Sequence, residues 1–203
     1  MLLRLAKILA PPHCVGCNKE DQILCAICQQ IVVKATIKNS KNITAATEFN
    51  EIGRGLIHAY KFQRQRDASH IIAKLIVQSL PDQSLTVVTS TPTAPVRVRQ
   101  RGFDHAALLA RRVAANLKLP YRPLLFRRSS ARQVGQQRET RFRQTENLYG
   151  AHPAAQGHHI LLIDDVITTG ATIEACSKAL KNAMAASVWA AILASRLTPS
   201  HKE

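Results

Sequence analysis

Apolar residues recur with a helical period in several stretches of the chain. Between residues 67 and 80, apolar residues lie four positions apart, which predicts a helix that Pro81 ends. Two further helices are predicted over residues 103–117 and 171–184. The stretch from residue 51 to residue 56 is punctuated by glycines, and no regular element is assigned to it.

Short runs of β-branched and aliphatic residues separate these helices. The strands predicted from them cover residues 85–90, 121–126, 160–163 and 188–194. The run 160–163 is apolar without alternation, as expected for a strand covered on both faces. The alternation of strands and helices predicts an α/β fold with a parallel sheet flanked by helices, over residues 41–203.

The composition allows one such domain and a small appendage. The chain has 203 residues, 46% of them hydrophobic and only 4% aromatic, so aliphatic residues must build the core. The formal net charge is +15, and the segment from Arg97 to Arg143 contains thirteen Lys or Arg residues but only two acids. This balance favours a polyanionic partner, either nucleic acid or a phosphate-rich substrate, over a merely basic surface.

The sequence is expected to be that of a cytoplasmic protein without a membrane span. No run reaches the roughly 20 apolar residues that a spanning helix needs. The first ten residues carry Arg4 and Lys7 and lack a signal-peptide pattern. In a reducing compartment, clustered cysteines are more often metal ligands than disulfides.

Two CxxC pairs lie in the first 40 residues, with seven residues between them. Such pairs place four thiolates around one tetrahedral ion, which predicts a structural Zn²⁺ site and a zinc module over residues 1–40. The predicted ligands are Cys14, Cys17, Cys25 and Cys28. The alternatives are reduced structural cysteines or a redox pair. His13 is interpreted as a neighbour of the site and Cys176 as a core residue.

The most informative string covers residues 160–172, where an apolar strand is followed by two acids, a Thr/Gly loop and a helix start. A loop at a helix N-terminus can hold one phosphate with its N–H groups and hydroxyls. Asp164 and Asp165 can accept hydrogen bonds from a ribose diol and can help hold Mg²⁺, directly or through water. A phosphate-binding loop beside two diol-binding acids is the arrangement needed to bind a ribose 5-phosphate. The alternative is a pair of solvated acids before a Thr-rich helix cap.

This string resembles the motif by which type I phosphoribosyltransferases bind 5-phosphoribosyl-1-pyrophosphate (PRPP). The resemblance implies that Asp164 and Asp165 contact the ribose hydroxyls during catalysis. It also implies that the 5-phosphate is bound by Thr168, Thr169, Gly170, Ala171 and Thr172.

A zinc ribbon before such a domain resembles the ComF family of competence-associated proteins. Tyr60-Lys61-Phe62, Thr91-Pro92 and the segment from Arg97 to Ala106 support this resemblance, although Asp104 and His105 stand where the family has Asn and Gln. The resemblance implies PRPP binding with Mg²⁺, a role in uptake or use of external DNA, single-stranded DNA as a partner, and a DNA-processing or helicase partner.

The basic segment that follows the strand 85–90 is a candidate pyrophosphate site. Arg97, Arg99 and Arg101 alternate, so in an extended chain they share one face. Arginine binds phosphate oxygens in bidentate fashion. Lys61 and Arg66 are expected to come from a flexible segment over the site. The anion could equally be a nucleic-acid backbone, and any single arginine could be a solvated surface charge.

Three functions follow from these features. The preferred one is a PRPP-binding protein linked to DNA uptake. The alternative is an active transferase that moves ribose 5-phosphate from PRPP to a nitrogen base, although no acceptor pocket is recognisable in the sequence. A third is a regulator in which PRPP controls a partner.

Overall fold

The computed structural model of the chain describes residues 11–34, 37–39, 42–61, 67–128 and 148–195. Its helices are α1 (Ala26–Lys34), α2 (Glu51–Lys61), α3 (Ala68–Ser79), α4 (Pro95–Arg101), α5 (His105–Leu117) and α6 (Ala171–Asn182). Its strands are β1 (Ile37–Asn39), β2 (Ile43–Glu48), β3 (Val87–Ser90), β4 (Leu125–Arg127), β5 (Tyr149–Ala151), β6 (His159–Ile167) and β7 (Ser187–Ser195).

The main sheet has five strands in the order β1-β2-β7-β6-β3. Strands β2, β7, β6 and β3 run parallel, and β1 pairs antiparallel with β2 at the edge. A parallel sheet flanked by helices confirms the α/β expectation. Strands β4 and β5 form a separate antiparallel pair.

Successive residues of the central strands face opposite sides of the sheet and feed two cores. Leu161 and Ile163 join a cluster with residues of α2, α3 and α5, whereas Ile160 and Leu162 join a cluster with α6 and the β4–β5 pair. All four side chains are fully buried, which explains the uninterrupted apolar run in the sequence.

Strand β6 is longer than the sequence predicts. It continues past the two acids to Ile167, because β7 keeps pairing with it as far as Ser195. Its pairing with β3 stops earlier, at Ser90 opposite Ile163. The last residues of β6 therefore have an open edge on the β3 side, and the acids lie along that edge.

The segment from Arg97 to Arg101 is not extended, so the three arginines do not share one face: these residues belong to helix α4. Pro95 occupies the first turn, where its missing N–H costs nothing. Gly102 ends the helix at a φ of 77°, with its N–H donating to the carbonyl of Val98. The helix places Arg97 and Arg101 on one side.

The cysteine-containing segment packs on the α/β core. Cys14, Cys25 and Cys28 belong to the same buried cluster as Leu56 and Tyr60 of α2.

The domain boundary predicted between residues 40 and 41 falls between β1 and β2, which pair with each other in the main sheet. This boundary stays a prediction. Within the described part of the chain, no helix is both long and apolar enough to cross a bilayer.

Candidate anion-binding site and cysteine cluster

A cavity of about 940 Å³ lies at the carboxyl ends of β3 and β6. Ligands of open α/β sheets bind at this edge, because the loops after parallel strands converge there. The loop after β3 contributes Thr91 and Thr93, the end of β6 contributes Asp164 and Asp165, and α2 covers one side. The cavity therefore joins the two sequence segments that were expected to form the site.

The two acids have different surroundings. The Asp165 side chain is 6% exposed, and its Oδ2 lies 2.5 Å from Nζ of Lys61 and 3.2 Å from Nε2 of His105. The side chain of Asp164 is partly exposed, and its Oδ1 accepts a hydrogen bond from the N–H of Asp165. Asp165 is thus held by the cation of Lys61 and by His105, whereas Asp164 forms no ion pair within the described part of the chain and keeps the freer carboxylate.

These surroundings move the two pKa values apart. Burial and the neighbouring charge of Asp165 raise the pKa of Asp164 to about 7. Burial also raises the pKa of Asp165, but the hydrogen bond from His105 and the charge of Lys61 outweigh it and lower the pKa overall. At neutral pH Asp165 is the ionised partner of Lys61.

The loop after β6 leads directly into α6. Gly170 precedes the helix at a φ of 81°, in the left-handed region that favours glycine, and Ala171 and Thr172 form its first turn. Thr168 and Thr172 line the cavity, and the hydroxyl of Thr169 accepts a hydrogen bond from the N–H of Ala171 at 3.5 Å. The loop thus places two threonines and a helix N-terminus at the cavity.

The cavity wall is strongly basic. Among the described residues, the cationic side chains that line it are Arg54, Lys61, Arg97, Arg101 and Arg127. Arg99 lies on the same helix as Arg97 but does not line the cavity. Arg66 lies outside the described residues. Two acids against this many cations leave a net positive site that suits a polyanion.

Lys61 lines the cavity as expected, but it comes from a different element of the fold than the one expected. It is the last residue of helix α2 rather than part of a covering segment. Its side chain is 14% exposed and reaches Asp165 across the cavity wall.

His105 lines the cavity and contacts Asp165, a placement that the sequence did not predict. Its Nε2 lies 3.2 Å from Oδ2 of Asp165, and Nη1 of Arg101 is close to both ring nitrogens, at 3.0 Å from Nδ1 and 3.1 Å from Nε2. Its backbone carbonyl accepts a hydrogen bond of 2.6 Å from Oη of Tyr60. The sequence feature that marks this position is the string Arg-Gly-Phe-Asp-His, in which His105 replaces the expected glutamine.

Asp104 has a structural contact that explains its position. Its Oδ1 accepts from the N–H of Ala107 and so caps helix α5. The same oxygen accepts from Oγ1 of Thr93 at 2.8 Å. Asp104 therefore ties the loop after β3 to the start of α5.

The four cysteines converge at the other end of α2. Their sulfur atoms all lie within 4.8 Å of one another, and Cys17 Sγ is 3.6 Å from Cys25 Sγ. Four sulfurs at about 2.3 Å from a tetrahedral zinc lie about 3.8 Å apart, so the cluster fits a structural metal ion. The N–H of Cys25 donates to the sulfur of Cys14, as at a thiolate ligand. His13 lies near Glu20, and Cys176 is buried in the sheet–α6 core.

A family model matches the C-terminal half of the chain. The model of the phosphoribosyl transferase domain matches residues 100–202, which is half of the chain. The chain therefore belongs to the phosphoribosyl transferase domain family.

Curated relatives are similar over a larger part of the chain. DNA utilization protein YhgH of Salmonella typhi is 28% identical over 146 residues, which cover 66% of this chain and 63% of that protein. Its counterpart from Escherichia coli K12 is 28% identical over 149 residues, covering 66% of this chain and 64% of that protein. The chain thus matches less than two thirds of the length of these relatives. Together with the cysteine cluster, they confirm the family resemblance that the motifs indicate.

Two solved structures match parts of the chain at low identity. One is the glutamine PRPP amidotransferase from B. subtilis, with a TM-score of 0.46 and 20% identity over 62% of this chain and 26% of that chain. Another is the adenine phosphoribosyltransferase from Thermoanaerobacter pseudethanolicus, with a TM-score of 0.43 and 15% identity over 82% of this chain and 99% of that chain.

Proposed function

We propose that this protein binds PRPP in the cavity at the carboxyl ends of β3 and β6, and that it acts in the uptake or use of external DNA. The observation that carries the first part is the pairing of Asp164 and Asp165 with a threonine loop at the start of α6, inside one strongly basic cavity. The second part rests on the relatives named for DNA utilization.

The ribose 5-phosphate end of PRPP fits the β6 side of the cavity. The hydroxyls of Thr168 and Thr172 and the N-terminus of α6 would bind the 5-phosphate, with Thr169, Gly170 and Ala171 shaping the loop. The freer carboxylate of Asp164 would accept hydrogen bonds from the ribose diol. Asp165 would contribute through an oxygen that Lys61 and His105 do not occupy, because both contact Oδ2.

The pyrophosphate end fits the α4 side. Arg97 and Arg101 lie on one side of α4 and can bind phosphate oxygens by charge-assisted hydrogen bonds. Arg99 is not assigned this role. The volume of about 940 Å³ lies within the roughly 300–1,000 Å³ of ligand sites and leaves room for a molecule of this length.

Two metal ions fit the donor sets. Carboxylate oxygens are the ligands that Mg²⁺ prefers, so Asp164 and Asp165 would hold it, directly or through water. Bound Mg²⁺ would neutralise charge on the pyrophosphate. Zn²⁺ in the four-cysteine cluster would be structural, since all four positions are filled by protein thiolates.

An active transferase is the second candidate, and one observation favours it. The cavity also has an apolar wall, formed by Phe49 and Ile57, where a planar base could lie. In that reaction the bond between ribose C1 and pyrophosphate breaks and a bond from C1 to the base nitrogen forms. The arginines would stabilise the leaving pyrophosphate, and Asp164 would hold the ribose as positive charge develops.

One ³¹P NMR experiment separates these functions. Shifted or broadened PRPP signals in the presence of Mg²⁺, without release of pyrophosphate, would support binding alone. Pyrophosphate release that depends on an added nucleobase would support the transferase. Unperturbed PRPP signals at saturating protein would contradict both proposals.

Binding of single-stranded DNA is part of the proposal and has its own test. The net charge of +15 supports it, as do the relatives' names. Phosphate contacts release counterions, so the affinity for a single-stranded oligonucleotide of arbitrary sequence should fall steeply between 50 and 200 mM salt, by about 300-fold if six phosphates are contacted. Salt-independent binding, or none, would contradict it. A DNA-processing or helicase partner and a cytoplasmic location complete the proposal.

A further inference from the structure

The first cysteine pair contributes to the wall of the anion cavity. Val15 lies between Cys14 and Cys17, and its side chain lines the same cavity as Asp164 and Asp165. Ile27 also lies between two of the cysteines, in the second pair, but it is 74% exposed. Only the first of the two turns is therefore placed to contact a molecule in the cavity.

The turn formed by residues 14–17 packs so closely against helix α2 that no side chain fits at Gly55. A Cβ added to Gly55 would lie 2.8 Å from Cβ of Val15, which is closer than real carbon atoms approach. A Cβ on Gly16 would lie 2.7 Å from the sulfur of Cys28 and 3.2 Å from Cδ1 of Ile52. Glycine inside a helix lowers helix stability, and here it allows the close approach of the turn.

Helix α2 runs from this turn to the cavity that contains Asp164 and Asp165. Arg54, His58 and Lys61 of this helix line the cavity, and Lys61 pairs with Asp165. Ile52 and Gly55 contact the turn on the same helix. A continuous set of packed residues thus joins the cysteine cluster to the carboxylates.

We propose that metal binding by the four cysteines and PRPP binding in the cavity are coupled, with the Cys14–Cys17 turn and α2 as the connecting element. The inference rests on the proposed function. A turn held by a metal ion keeps its shape only while the ion is bound. Loss of the ion releases Val15 and one face of α2, and so deforms the site. Because coupling is reciprocal, bound PRPP raises the affinity of the four cysteines for the metal by the same factor.

The test is the equilibrium transfer of zinc from the zinc-loaded full chain to a chromogenic chelator, with and without saturating Mg²⁺ and PRPP. The expected result is a Zn²⁺ affinity at least fivefold higher in the presence of PRPP, in the range usual for coupled sites. Free Zn²⁺ with PRPP and the chelator corrects for direct complexation. An unchanged Zn²⁺ affinity for protein saturated with PRPP would overturn the inference.

Two matched variants test the connecting residue. Val15→Ala should weaken PRPP binding about fivefold and reduce the protection of zinc, whereas Ile27→Ala, which alters the exposed side chain of the second pair, should change neither. Equal behaviour of the two variants would also overturn the inference.

A prior calorimetric titration of the wild type separates the inference from the function on which it rests. If neither PRPP nor pyrophosphate binds the zinc-loaded protein, the proposed function and the coupling both fall. If one of them binds but leaves the Zn²⁺ affinity unchanged, only the coupling falls.

Discussion

Replacing Lys61 with methionine should destabilise the fold by about 3 kcal/mol at neutral pH. The lysine and Asp165 are both largely buried, with side-chain exposures of 14% and 6%, and their charged atoms lie 2.5 Å apart. Methionine keeps much of the side-chain volume but removes the charge. Asp165 is then left as a buried carboxylate with His105 as its remaining close side-chain partner among the described residues.

The size of the effect follows from this geometry. Removing one partner of a buried pair costs about 3–5 kcal/mol, and the hydrogen bond from His105 favours the lower end of that range. For a chain of this size, each kcal/mol lowers Tm by about 2–4 °C, so Tm should fall by about 6–12 °C.

The loss should depend on pH. The pKa of Asp165 is lowered in the folded wild type, because His105 and Lys61 together outweigh burial. Such a carboxyl adds stability above its unfolded pKa of about 4, and that stability is lost as pH falls through the folded pKa. Without Lys61 the pKa of Asp165 rises, and the carboxyl is protonated at a higher pH than in the wild type. The deficit is therefore full at pH 7 and smaller near pH 4.

Differential scanning calorimetry at both pH values measures this directly, in buffer without Mg²⁺. Lys74→Met on helix α3 is the matched control, since Lys74 is exposed. A Tm for Lys61→Met within 1 or 2 °C of the control, or the same deficit at pH 7 and pH 4, would refute the reasoning. A double-mutant cycle with Asp165→Asn then gives the pairwise energy.

Three other predictions concern the walls of the cavity. Arg97→Ala should weaken PRPP binding about tenfold by titration calorimetry while Arg99→Ala leaves it within about twofold; equal losses would contradict the helical placement of the two side chains. Gly170→Ala should lower the free energy of unfolding by about 1–2 kcal/mol in urea, because its φ of 81° strains any side chain although no atom lies within 4 Å of the added Cβ. His105→Ala should reduce PRPP affinity and His105→Gln should restore most of it, since the amide N–H can still donate to Asp165; failure of glutamine to restore binding would count against a positioning role.

The parts of the site that the sequence predicted are those built from one continuous segment. The string 160–172 contains a buried strand, two acids, a loop and a helix start, and each of these is determined by local pattern. The cysteine pairs are equally local, because each pair closes within one turn. Long-range packing was not needed to recognise either.

The rest of the site depends on packing between distant segments, or on short elements whose ends only a proline or a glycine marks. Gly53 and Gly55 weaken the helical signal of α2, yet the close approach of Val15 requires a glycine at Gly55. Helix α4 is short, and only Pro95 and Gly102 mark its ends, so alternating arginines suggested an extended chain. The burial of His105 against Asp165 joins residues 60 positions apart and has no local pattern.

The central claim is that the cavity binds PRPP through the end of β6, and titration of Mg²⁺ and PRPP into the wild type and Asp164→Asn tests it most directly. Asp164 is the suitable position because its carboxylate is the freer of the two, so its loss leaves the Lys61–Asp165 pair in place. The account predicts saturable binding of one PRPP per chain and at least a tenfold loss of affinity in the variant, with Tm little changed. Absence of binding by the wild type, or equal affinity in Asp164→Asn, would contradict it.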